Sequence, residues 1–148
     1  MAPGCMRLVL LAATVRATAA ALALPSVLTT RGHNATAYGA QHRQTLISAN
    51  NYAMTLLDLR RFAEAKKLLR KVAPVARRAL GAEHALTLSL REDLSRATLD
   101  GKSSADEKRE ALQMLEDTVA VMRRVLGPAH PDTLHAQNNL EGYRQRTE

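Results

Sequence analysis

The sequence predicts an all-α fold, an α-solenoid of antiparallel helix hairpins with about two and a half repeats. The first observation is a phrase met three times: Tyr38-Gly39-Ala40-Gln41-His42-Arg43-Gln44-Thr45-Leu46, Leu80-Gly81-Ala82-Glu83-His84-Ala85-Leu86-Thr87-Leu88 and Leu126-Gly127-Pro128-Ala129-His130-Pro131-Asp132-Thr133-Leu134. Each copy has an apolar or aromatic residue, then Gly, then His three residues on, then Thr-Leu. The glycines lie 42 and 46 residues apart, a period that marks stacked helix pairs rather than a closed core. The second observation is that apolar residues between the phrases recur at helical spacing. The third is composition: Leu and Ala dominate, Trp is absent and Phe62 is the one Phe, which suits helices packed closely on helices.

Each phrase reads as a corner between helices. Gly after an apolar residue fits the left-handed position that ends a helix. Pro131 tolerates the first helical turn, where its missing N–H costs nothing, and Asp132 faces the positive end of the helix dipole. His42, His84 and His130 then stand at the start of the next helix. As a shared metal site they would have to converge, whereas equivalent positions in a stack are about a helix diameter apart, so no metal is expected.

In chain order, residues 1–37 are a leader, a targeting segment or a degenerate repeat. They hold no acidic residue, and neither does the chain as far as residue 57. Leu8 to Leu24 is apolar but is interrupted by Arg16, and its 17 residues are short for a membrane span, so no transmembrane segment is expected. A basic start and Ala21-Leu22-Ala23 match a secretory signal, while the missing acids match an organelle transit peptide. The expected compartment is the cytoplasm, with targeting by residues 1–24 as the alternative. Asn34-Ala35-Thr36 would be a glycosylation acceptor if the chain were secreted. Cys5 stands alone, which excludes an internal disulfide.

Residues 38–80 form the first repeat. Helix A carries an apolar stripe at Leu46, Ala49, Ala53 and Leu56, and helix B resumes at Phe62 with Ala65, Leu68, Leu69, Val72, Val75, Ala76, Ala79 and Leu80. Residues 81–126 form the second, with helix A from Thr87 and a four-residue insertion in its turn near 101–106, and 127–148 a partial third with helix A alone. Register agrees between the two B helices: Glu110-Ala111 lies under Glu64-Ala65, Met114-Leu115 under Leu68-Leu69, and Arg123-Arg124 under Arg77-Arg78.

Asn50-Asn51-Tyr52-Ala53, Asn138-Asn139-Leu140-Glu141, Phe62-Ala63-Glu64-Ala65 and the Gly-Pro-Ala-His-Pro-Asp-Thr-Leu corner at Gly127–Leu134 together resemble the tetratricopeptide repeats of kinesin light chains, over about residues 38–148. The resemblance implies a non-catalytic scaffold for protein–protein interaction, with small residues (Ala53 with Ala65, Ser95 with Ala111) at the close crossings. It also implies a concave groove on the A helices that takes a peptide or partner helix. By match to the repeat pattern, the groove set is Ile47, Asn50, Met54, Leu57, Glu92, Arg96, His135 and Asn138, together with Ser89 and Leu99. Asn side chains offer both donor and acceptor to an extended backbone, and Met54 and Leu57 offer an apolar floor. Three positions depart from the pattern. Arg60 stands where the family has Gly, which predicts a strained or reshaped turn. Pro74 lies inside helix B and predicts a kink near Arg70. Glu92-Asp93 replaces Asn-Asn.

No nucleophile motif, phosphate cradle or metal-ligand spacing is present, so neither enzyme activity nor a cofactor is expected. His135 and Asp132 read as a surface pair. The net charge of +7 is concentrated between Arg61 and Leu80, where seven Lys/Arg face Glu64 alone. Lys66, Lys67, Arg70, Lys71, Arg77, Arg78, Arg123 and Arg124 therefore offer an alternative: a basic outer face for nucleic acid or acidic membrane. The lack of stacking aromatics weighs against nucleic acid. Self-association through exposed repeat ends is a further expectation.

Overall fold

The computed structural model describes the backbone of residues 38–147 and the side chains of 43–146. The leader, its signal and transit readings, Cys5 and the Asn34 acceptor lie outside the described residues. Among the described residues five helices follow one another: α1 (Tyr38–Asp58), α2 (Phe62–Leu80), α3 (Ala85–Asp100), α4 (Ala105–Val125) and α5 (Pro131–Thr147). The chain divides into two compact units, Met1–Tyr52 and Ala53–Glu148, so α1 begins in one and ends in the other.

In the first unit the described part is the start of α1, where Leu46 and Ala49 are buried as the stripe predicts. The first corner is not a corner: α1 is already helical at Tyr38 and runs through Gly39 and His42. Ala40 to Gln44 contains no proline, so continuing the helix costs only the penalty of one Gly, about 1 kcal/mol.

In the second unit the other two phrases are corners. Gly81 and Gly127 take φ of 99° and 98°, the left-handed region, with open space where a Cβ would sit. Glycine is thus required for conformation and not for room. The Gly81 N–H donates to Arg77 O at 3.0 Å and the Gly127 N–H to Met122 O at 3.2 Å, satisfying carbonyls at the two helix ends. Both histidines cap the helix that follows. His84 Nδ1 accepts from the Leu86 N–H, and His130 Nδ1 from the Asp132 N–H, each at 3.2 Å.

Successive helices pack in order, α2 on α3, α3 on α4 and α4 on α5, and α3 also touches α5. One core cluster gathers Leu88 of α3, Leu115, Val119 and Met122 of α4, and Ala136, Leu140 and Tyr143 of α5. Ala53, Ala65, Ser95 and Ala111, the small residues expected at close crossings, are all buried. On α2 the buried stripe is Ala65, Leu69, Val72, Ala73 and Ala76; Ala79, expected with them, is exposed. α2 is continuous through Pro74.

The two hairpin turns differ. After α1, the Arg60 N–H donates to Leu57 O and the Arg61 N–H to Leu56 O, a paired closure that requires a left-handed residue at Arg60, whose φ is 57°. An arginine there costs about 1 kcal/mol relative to glycine. The second turn, Gly101–Ser104, ends in a reciprocal cap: Ser104 Oγ accepts from the Glu107 N–H while Glu107 Oε2 accepts from the Ser104 N–H. Gly101 is needed here for close approach, since a Cβ would lie 2.5 Å from Ala97 O and 3.1 Å from Phe62 Cβ.

Candidate functional site

The A helices α3 and α5 are joined side by side through one buried carboxylate. Glu92, only 4% exposed, accepts at Oε1 from His135 Nδ1 at 2.9 Å and from Asn139 Nδ2 at 2.7 Å. Its neighbour Asp93, 5% exposed, accepts from Arg96 Nη1 at 3.2 Å. Burial, and then the negative charge of Glu92, pushes the Asp93 carboxyl up to about 7, while Arg96 and His135 oppose the rise. A turn further along, the Tyr143 hydroxyl donates to Asp100 Oδ2 at 2.7 Å, and Arg146 reaches Asp100 Oδ1 at 3.1 Å. Burial and then the Asp100 bond hold that phenol well above its ordinary value.

Of the groove set, the structure brings Glu92 and His135 into contact. Arg96 is engaged with Asp93, and Leu57 is buried at 4%, so it belongs to the core rather than to an open floor. Met54 is 44% exposed, and His135 and Asn138 are exposed, while Ser89 and Leu99 are half-buried. Ile47 and Asn50, half-buried, lie in the first unit. The expected pairing of His135 with Asp132 is replaced: His135 turns to Glu92, and Asp132 meets His130. Sequence reasoning missed Asn139, Asp93, Asp100 and Tyr143. Asn139 lies four residues beyond His135, one helical turn on the same face, and that spacing is the signal that could have found it.

On the other edge of the second unit, Glu107 Oε1 accepts from Lys66 Nζ at 3.0 Å and Arg70 Nη2 at 3.1 Å. Lys66, then the Ser104 N–H, then Arg70 hold its carboxyl down at about 2. Arg124 pairs with Glu83. Lys67, Lys71, Arg77, Arg78 and Arg123 are exposed. Among the described residues no cluster of His, Cys, Asp and Glu suits a metal ion, and no helix is long and apolar enough to cross a membrane.

Stacked helix pairs joined through left-handed glycines and histidine caps define a class, the helical-repeat interaction proteins. Within it the family is shown: the tetratricopeptide repeat model matches residues 45–86 and 103–132, and the chain belongs to that family. No curated protein and no solved structure matches the chain. Tetratricopeptide repeats mediate protein–protein interaction, and that general role comes with the family.

Proposed function

We propose that the A-helix face of the second unit is the binding surface of a non-catalytic interaction module that takes a peptide or a partner helix. The observation that carries this reading is the Glu92 link. By tying α3 to α5 it fixes their polar faces in register, and it leaves Asn138 and His135 exposed beside it. Asn138 supplies a donor and an acceptor for an extended backbone, and exposed Met54 supplies a soft apolar contact. The buried carboxylates serve the fold: Glu92 is spent on His135 and Asn139, and Asp93 on Arg96. This supports a scaffold without an acid–base step. Cargo capture in the manner of kinesin light chains is the nearest analogy.

The test is a pull-down with wild type and a Met54→Ala, Asn138→Ala double variant, two exposed positions whose truncation leaves the core intact. Selective loss of protein partners from the variant is expected. Equal recovery of every partner by both proteins removes the groove. A second reading rests on exposed Lys67, Lys71, Arg77 and Arg78 along α2, which would face nucleic acid or acidic membrane. Binding to either that collapses between low and physiological salt, with no peptide partner, would favour it.

A further inference from the structure

Beside the first hairpin turn lies a pocket of about 250 Å³ whose wall includes Arg60, Arg61, Glu64, Lys66, Gly101 and Lys102. It shares no residue with the A-helix face. Its two sides come from two places where the chain departs from the repeat pattern, the arginine in a glycine position and the four-residue insertion. The lining cations do not balance. Arg61 is held by both oxygens of Glu64, at 2.7 and 2.6 Å, and Lys66 by Ser103 and Glu107, each at 3.0 Å. Arg60 and Lys102 are exposed and make no ion pair among the described residues. The lining thus holds two cations that no carboxylate answers, Arg60 and Lys102, beside the Arg61–Glu64 pair and the apolar Phe62, Ala63 and Ala97.

We propose that this pocket receives the phosphate of a phosphorylated serine on a partner peptide. A phosphate monoester carries a charge of about −1.5 to −2 near neutral pH, which Arg60 and Lys102 together match, whereas a carboxylate would leave one cation unanswered. Guanidinium meets phosphate oxygens through parallel N–H donors. The volume is about eight times that of one liquid water, more than a bare phosphate fills, so there is room for the carbon atoms that carry it. The left-handed Arg60 fits the same picture, because a residue held in a costly conformation at a cavity is where function is commonly found.

The experiment titrates the isotopically labelled chain with a short capped polyalanine peptide bearing one phosphoserine, following backbone amides by NMR. Saturable shifts at Arg60–Glu64 and Gly101–Ser103 are expected, and none with the unphosphorylated peptide. Arg60→Gly removes one cation while relieving the backbone, so it should melt no lower than wild type and bind about tenfold more weakly or worse. Lys102→Ala, in an exposed turn, should weaken binding similarly. Three results would overturn the proposal: undiminished binding by both variants, shifts spread along Lys67, Lys71 and Arg78 instead of the pocket, or absence of any shift. Inorganic phosphate forms a separate arm; if it binds as tightly as the peptide, the site is for a free ion and the peptide assignment falls.

Discussion

Glu107 and the Glu92–Asp93 pair both hold successive repeats together, but they do so under opposite conditions. Glu107 sits at an exposed edge and draws α4 to α2 through Lys66 and Arg70. The Glu92–Asp93 pair is buried and draws α3 to α5 through His135 and Asn139. Surrounded by cations in water, the first carboxyl gives up its proton readily; deprived of water beside another acid, Asp93 keeps its own. Similar chemistry therefore has opposite consequences for stability. Asp93 binds its proton more tightly folded than unfolded, so its contribution is full below about pH 4 and is lost as pH rises toward 7. Glu107 contributes fully above 4.5 and loses its contribution as pH falls toward 2.

The largest expected effect breaks the buried side of this contrast. Asp93→Asn removes the charge but keeps an acceptor for Arg96, and at pH 8 it should raise stability by on the order of 4 kcal/mol, with the gain gone by pH 4. Urea unfolding across that range measures it; parallel curves for the two proteins would show that Asp93 ionises without cost. Next is Gly101→Ala, which drives a methyl into Ala97 O and forces the second turn away from Phe62 and Lys66. A loss of about 1–3 kcal/mol is expected in thermal melts, and an unchanged melting point would mean the turn is not tight. Ser104→Ala removes half of the reciprocal cap and should cost about 1 kcal/mol, while Ser104→Asp should restore most of it. The smallest effect sharpens the exposed side: Glu107→Gln should lower stability slightly near neutrality, with the difference from wild type gone by about pH 2, so that the acid limb between pH 4.5 and 2 flattens. An acid limb of the same steepness would assign the loss to other carboxylates.

What was legible in the sequence was periodic. The stripe on α1, the burial of Ala65 and Ala111, the glycine corners and the place of His84 and His130 all follow from spacing and from single-residue conformational preference. The strained turn at Arg60, one of the two outcomes its place in a glycine position predicted, was legible for the same reason. What escaped was set by neighbours distant in sequence. Ala79 fits the stripe of α2 by spacing but meets solvent, because the stripe's width is fixed by what packs against it. Glu92 and His135 were both placed on one face, yet nothing in a single helix says that a glutamate will be covered by residues more than forty positions later. The first corner failed although its phrase resembles the others: the Gly81 corner stops a helix without any proline, so the phrase alone does not decide whether a helix ends at its glycine. The Ser104–Glu107 cap was readable from its spacing and went unread.

α3 is touched by α2, α4 and α5, and it buries residues on more than one side: Leu88 and Leu90, Ser95, and Ala97 with Thr98. In a stack where each member depends on its neighbours, a helix packed against three others cannot come loose alone. Its amide protons should therefore exchange with solvent only when the whole second unit opens, while those of α5, which has fewer partners, escape through smaller openings. The slowest amides would then mark out the helix that the other three enclose.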